Sequence, residues 1–252
     1  MEIYAFPEND TDVSYSEDLF ISIIKGISDK AQKYRIYLYS PDIYHSTTLS
    51  LLFYLYQKQL NENPDIDILI IPRSKIFDKP ENLTTLSFRP NEDNGGIKVI
   101  NKLDCVPCII FGGTFDHLHN GHKLLLTASA LFSTEQVIVG MNENIHSKSY
   151  QEFIQPIWKR SAEVLSVLME INKNIRYIIE AISDGIGPAG TSREAKILML
   201  TEETIRGGEI CNQRRRDNNL PPLQIFVLPL LYSNNGTVLC STSIRNKLAS
   251  NQ

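Results

Sequence analysis

Two imidazoles three residues apart, His119 and His122, are the side chains best placed to do chemistry. They flank Asn120-Gly121, and Gly112-Gly113-Thr114 lies just upstream. Side chains at i and i+3 share one face of a helix. A glycine pair marks a place where the backbone turns sharply or comes close to a ligand. Helix-start N–H groups, two imidazoles and a glycine backbone all favour an anion, and phosphate above all. A glycine pair alone is usually just a turn, and a lone surface histidine carries no message. All the parts together at one junction point to a nucleotide or phosphate site.

The elements that must position these residues can be read from periodicity. Cys108-Ile109-Ile110-Phe111 is a short apolar run and reads as a buried strand. Beyond His122, the residues Leu124, Leu125, Ala128, Leu131 and Phe132 recur at helical spacing. The motif therefore sits on a strand, a glycine turn and a helix start. Downstream, strands are expected over 136–141, 175–182, 196–200 and 223–230. Helices are expected over 156–171, 204–219 and 241–249. Strands alternating with helices imply an α/β fold with a Rossmann-like parallel sheet, whose ligands bind at the carboxyl ends of strands.

The first hundred residues form a smaller α/β region. Ser14-Tyr15-Ser16-Glu17 reads as a capping box before a helix carrying Leu19, Phe20, Ile23, Ile24 and Ile27. A strand over 34–39, a helix over 48–60 and a strand over 66–71 follow, the last stopped by Pro72. The polar, turn-rich run 89–96 marks a linker or hairpin tip. The expected domains are 1–100, of unknown role, and 104–252.

Composition narrows the function classes. The 252 residues carry a formal net charge of −4, so the chain as a whole offers no basic field for nucleic acid or an anionic membrane. The N-terminus lacks the basic and apolar regions of a signal peptide, and the most apolar run, 49–56, is too short to span a bilayer. A cytoplasmic location is expected. Cys105 and Cys108 form a Cys-x-x-Cys, but Cys211 and Cys240 do not supply the second close pair of a structural zinc site, and no metal ligand set is expected.

Gly113-Thr114-Phe115-Asp116 followed by His119-Asn120-Gly121-His122 resembles the signature of nucleotidyltransferases with a His-x-Gly-His motif. Further matches narrow the resemblance to phosphopantetheine adenylyltransferases of the eukaryotic type. They are Lys148, the glycine-rich run 184–191, the run 201–208 with Asn212 and Arg215, and Cys240-Ser241-Thr242-Ser243-Ile244-Arg245. The chain is similar to the adenylyltransferase part of bifunctional coenzyme A synthase. The resemblance implies attack by the phosphate of 4′-phosphopantetheine on the α-phosphorus of ATP. A phosphate oxygen is already an anion, so alignment and charge neutralisation replace a general base.

Residue by residue, the resemblance implies catalytic roles for His119, His122 and Lys148. Thr114 and Lys148 would hold the acceptor phosphate. Gly112, Gly113, Thr114, His119, Gly121, His122, Gly207, Asn212, Arg215, Ser241, Ser243 and Arg245 would contact the nucleotide. Asp116 would fix the turn by accepting backbone N–H groups, and Ser241 would cap the last helix. Mg²⁺ is implied with ATP, and a complex with other coenzyme A biosynthesis enzymes is an implied partnership. No P-loop occurs, so the fused dephospho-coenzyme A kinase of the bifunctional enzymes is not expected. Rivals remain. A cytidylyltransferase shares the signature but carries Arg-Thr-Glu-Gly ahead of its final motif, where this chain has Gly236-Thr237-Val238-Leu239-Cys240. A nicotinamide-mononucleotide adenylyltransferase would normally have Ser-Phe-Asn in place of Thr114-Phe115-Asp116, and a tRNA synthetase would need a Lys-Met-Ser-Lys-Ser loop; from a different class, the chain could be an inactive nucleotide-binding module.

Overall fold

Strand β5, Val106–Gly113, lies at the centre of the larger of two sheets in a computed structural model of the chain. The structure describes residues 2–6, 20–22, 24–30, 33–39, 46–73, 85–87, 103–146 and 148–250. The chain forms two compact units, Met1–Lys102 with Leu231–Val238, and Leu103–Leu230 with Leu239–Gln252. The range 104–252 expected for one domain is thus interrupted by eight residues that group with the first unit.

The first unit holds a parallel sheet, β1 (Glu2–Phe6), β2 (Lys33–Tyr39), β3 (Asp67–Arg73) and β4 (Thr85–Ser87), in the order β3-β2-β1-β4. Helix α1, Ser46–Glu62, buries Leu49, Leu52, Phe53, Tyr56 and Leu60. Pro72 does not stop its strand. It sits inside β3 opposite Leu38, which an edge strand tolerates because half of its N–H groups face no neighbour. Phe20 and Ile24 are buried in short helical stretches, while Ser14–Glu17 and residues 89–96 lie outside the described residues.

In the second unit β6 (Ser133–Asn142), β7 (Arg176–Ile182), β8 (Ile197–Thr201) and β9 (Gln224–Leu228) complete a five-stranded parallel sheet, β7-β6-β5-β8-β9. Four helices accompany it: α2 (Asn120–Phe132), α3 (Ile157–Ile171), α4 (Ile205–Asp217) and α5 (Ser241–Ser250). This is the Rossmann-like α/β arrangement expected from sequence. Cys108 and Ile110 of β5 join Leu198, Leu200, Cys211 and Leu223 in a core beneath α4. Alternation along the strand sends Ile109 and Phe111 to the other face. On α2 every residue from Lys123 to Phe132 is buried. The chain leaves β5 toward β6 on one side and later returns to β8 on the other. That reversal opens a crevice at the carboxyl ends of β5 and β8, the usual ligand position in such sheets.

Candidate functional site

The glycine pair does not turn. Gly112 and Gly113 are the last residues of β5, paired with Gly140 and Met141 of β6. Gly112 is exposed although it lies in the central strand, so bare backbone forms the floor of the crevice. A Cβ on Gly113 would stand 3.0 Å from the Phe115 ring, so this glycine makes room for that ring. The turn itself falls at Phe115 and His117, with φ of 51° and 46°. Non-glycine residues pay roughly 1–2 kcal/mol for that region, so the surroundings must hold it.

Asp116 does much of the holding. Its fully buried carboxylate accepts the Gln155 N–H at 2.8 Å and pairs with Arg245 at 2.8 Å. The His117 N–H donates to Gln155 Oε1 at 3.0 Å, and its Nε2 lies 2.9 Å from the Phe153 carbonyl. Asp116 therefore has the turn-fixing role expected of it, acting through the N–H of a distant residue.

His119 takes the N-cap position of α2 and His122 the third helical position. Their rings stack at 3.8 Å between centroids, 24° apart, and His122 leans on Phe115 at 5.3 Å. Gly121 has a role other than the expected one. A Cβ there would lie 3.2 Å from the His119 ring, so the ring it admits is the protein's own. Burial pushes the His122 imidazole down to about 3. Burial, then His122 and Lys123, hold His119 well below its ordinary value, against an upward pull from Asp116. Both rings are thus neutral at pH 7. The His119 N–H points at His122 Nδ1 from 3.5 Å, which leaves the His122 proton on Nε2 as a donor. His119 Nδ1 is buried without a partner among the described residues.

This burial has a measurable consequence. His122 ordinarily protonates near 6.5 but stays neutral in the fold down to about pH 3. Between those values the unfolded chain binds more protons, so stability is full above about pH 6.5 and falls as pH drops. One such group contributes a slope of at most about 1.4 kcal/mol per pH unit. Urea unfolding from pH 7.5 to 4.5 should show a shallower decline for His122→Gln than for the parent chain. Equal slopes would show that His122 is not a source.

Thr114 follows β5, and its carbonyl accepts Arg160 Nη1 at 2.5 Å. The same nitrogen donates to the Asn142 carbonyl at the end of β6, 3.2 Å away, and Nε donates to the Gln155 carbonyl at 2.8 Å. Arg160 therefore splints the carboxyl ends of two central strands. Sequence reading missed it. The available signal was an arginine in phase with Val164, Leu168 and Ile171, the other buried residues of α3. Lys148 closes a turn through its N–H to the Ile145 carbonyl. Its side chain is partly exposed and has no ion-pair partner among the described residues.

Arg245 is only 2% exposed. It binds Asp116, donates from Nε to the Ser149 carbonyl at 3.0 Å and from Nη2 to Thr242 Oγ1 at 3.1 Å. Its donors fasten α5 to the signature turn and to the Lys148 loop, so the phosphate contact expected of Arg245 is replaced by a positioning role. Ser241 is the first residue of α5, and its hydroxyl donates to the Asp116 carbonyl at 2.7 Å. The expected cap is thus a staple to the turn. Ser243 is exposed near the same helix start, where Cys240 Sγ lies 3.2 Å from its hydroxyl.

Two further expectations are corrected. Arg215 is 0% exposed and donates to the carbonyls of Pro221, Ala189 and Ser192 at 2.7, 3.0 and 2.7 Å. Asn212 exchanges two hydrogen bonds with the Leu223 backbone, at 3.0 and 2.8 Å. Both side chains bind backbone at the foot of β9 and behind the glycine-rich loop, which draws them away from a nucleotide. Gly207 keeps open space where a Cβ would stand. The loop 184–191 is pinned by Asp184, which accepts the N–H groups of Ile186 and Gly187. At Gly187 φ is 51° and a Cβ would meet Ile182 at 2.1 Å, so glycine is required there.

A family model described as cytidylyltransferase-like matches residues 110–206. An uncharacterized protein of Schizosaccharomyces pombe is 34% identical over 206 residues, 75% of this chain and 64% of that one. A Saccharomyces cerevisiae protein named phosphopantetheine adenylyltransferase is 32% identical over 145 residues, 55% of this chain and 48% of its own. A Pyrococcus furiosus protein of the same name is 37% identical over 139 residues, 54% of this chain and 86% of its own. The chain thus spans less than two thirds of the two fungal relatives and most of the archaeal one.

Proposed function

Because the chain belongs to the phosphopantetheine adenylyltransferase-type nucleotidyltransferases, we propose that it transfers AMP from ATP to 4′-phosphopantetheine, releasing pyrophosphate and forming dephospho-coenzyme A. The observation that carries the reading is the neutral, stacked histidine pair at the start of α2, beside Thr114 and the exposed backbone of Gly112. In this reading Thr114 holds the acceptor phosphate at the end of β5. One of its oxygens forms a new bond to the α-phosphorus as the bond to the pyrophosphate oxygen breaks. The His122 Nε2–H meets charge that grows on the α-phosphate. Lys148 bridges the two phosphates, and the start of α5 with Ser243 faces the leaving pyrophosphate. Arg245, Arg160 and Asp116 act by holding these elements.

The residues present do not form a cage for Mg²⁺. Among the described residues no group of three histidine, cysteine or acidic side chains could hold a metal, and Asp116 is committed to Arg245 and Gln155. The proposal is that Mg²⁺ arrives on the phosphates of ATP, and no step is derived through it. Among the described residues no helix is long and apolar enough to cross a membrane. Work in the cytoplasm, in a complex with other coenzyme A biosynthesis enzymes, completes the proposal.

The test is pyrophosphate release from purified protein, with ATP and CTP each offered 4′-phosphopantetheine, phosphocholine and nicotinamide mononucleotide. Release with ATP and phosphopantetheine, with CTP a poor donor, is expected. Activity only with CTP and phosphocholine would establish instead the cytidylyltransferase that the family description suggests.

A further inference from the structure

Helix α2 fixes where the His122 side chain starts but not how its ring lies. The torsion that turns an imidazole about its Cβ–Cγ bond has broad minima, so neighbours must set the plane of the ring. The contacts on the helix side are soft. The His119 N–H reaches His122 Nδ1 from 3.5 Å, the outer limit of a hydrogen bond. The His119 ring stacks at 3.8 Å, yet its own Nδ1 has no partner among the described residues. On the strand side stands Phe115, 5.3 Å from His122 between centroids and tilted by 54°.

Phe115 is anchored where His119 is not. Its ring is 1% exposed and meets Phe111 of β5 edge-on, at 5.7 Å and 72°. Gly113 leaves the notch that the ring fills, because a Cβ there would stand 3.0 Å from two ring carbons. The backbone at Phe115 is left-handed, a conformation an aromatic residue rarely adopts. That turn brings a ring from the strand end against the third residue of α2. Phe111, Phe115, His122 and His119 thus form a row of rings from the central strand to the helix cap.

We propose that Phe115 is a positioning residue for His122, with Gly113 as the notch that admits it. Through this row the central strand, more than the helix start, aims the His122 Nε2–H. Without the Phe115 ring the helix stays, but the imidazole turns between orientations and its proton is shared between the two nitrogens. A donor aimed for only part of the time stabilises growing charge less, while phosphates held by other groups bind as before. The kinetic consequence rests on the adenylyl-transfer reading; the setting of the ring does not.

The experiment uses the full chain with Phe115→Leu, which keeps an apolar side chain and the same left-handed backbone cost. In nitrogen NMR of the imidazoles, the parent should show His122 as one neutral tautomer and Phe115→Leu an averaged one. In the variant kcat should fall by about tenfold to thirtyfold, less than in His122→Ala, with KM for ATP and phosphopantetheine nearly unchanged. In a His122→Ala background Phe115→Leu should cost no further activity, because the two residues act as a unit. Gly113→Ala keeps the ring but displaces it by a few tenths of an ångström, and should change the His122 spectrum in the same sense. Adding Phe115→Leu to Gly113→Ala should leave the alanine without further effect.

An unchanged His122 spectrum in Phe115→Leu overturns the proposal. So does a kcat loss that persists undiminished in the His122→Ala background, because Phe115 would then act on the fold and not through the ring. If Phe115→Leu does not fold, Gly113→Ala decides: a shifted His122 spectrum supports the proposal and an unchanged one overturns it. If the parent protein shows no adenylyl transfer, the proposed function fails, and the spectra still decide the role of Phe115.

Discussion

His122→Ala should lower kcat and kcat/KM together, by about 10²–10³-fold, with KM for ATP nearly unchanged. The reason lies in the protonation state. A buried imidazole held neutral adds no full charge to the resting site, so it contributes little to binding the ground-state phosphates. In the proposed reaction its Nε2–H gains strength as an ally only when negative charge grows on the α-phosphate. Lys148→Ala should behave differently. A partly exposed ammonium on the loop after β6 also attracts bound phosphates, so its loss should lower kcat and raise KM. Steady-state kinetics on both variants decides the matter. If His122→Ala raised KM and spared kcat, the ring would be a ground-state binding group and this assignment would be wrong.

Asp116→Ala should cost about 3–5 kcal/mol of stability, read as a large drop in the urea midpoint. The variant strands the Arg245 guanidinium, 2% exposed, without its counter-charge, and leaves the Gln155 N–H without its acceptor. It also removes what holds the left-handed residues Phe115 and His117. Ser241→Ala is the natural comparison. It deletes one neutral hydrogen bond to the same turn, worth about 0.5–1.5 kcal/mol. An Asp116→Ala loss no larger than the Ser241→Ala loss would show that the turn holds itself.

The sheet and helices of the second unit were legible because apolar runs such as Ile109–Phe111 and the periodic face of α2 leave few alternatives. The placing of His119 and His122 on one helix start was legible for the same reason. Polar destinations were not. Arg215 and Arg245 look alike in sequence, as cations near helices. Each turns inward because carbonyls or a carboxylate far along the chain meet it: Ala189 and Ser192 for Arg215, and Asp116, 129 residues away, for Arg245. No local pattern records such partners. The glycine pair misled for a related reason. Its meaning depends on Gly140 in the neighbouring strand and on a ring two residues ahead, both visible only once the chain is folded. Arg160 was the exception, since a cation in phase with three buried apolar residues is a signal that could have been weighed.

The exposed floor at Gly112 offers a handle for chemical genetics. A methyl group there would lie 3.5 Å from the Gly140 carbonyl and 3.7 Å from Ile182, ordinary contact distances that ask nothing of the protein. Under the proposed function, Gly112→Ala is therefore a bump placed against the bound nucleotide. It should leave folding intact and narrow the range of molecules accepted. A substrate analogue trimmed by one small group at the matching point would fit the altered enzyme and could address it separately from its unmodified counterpart in the same extract.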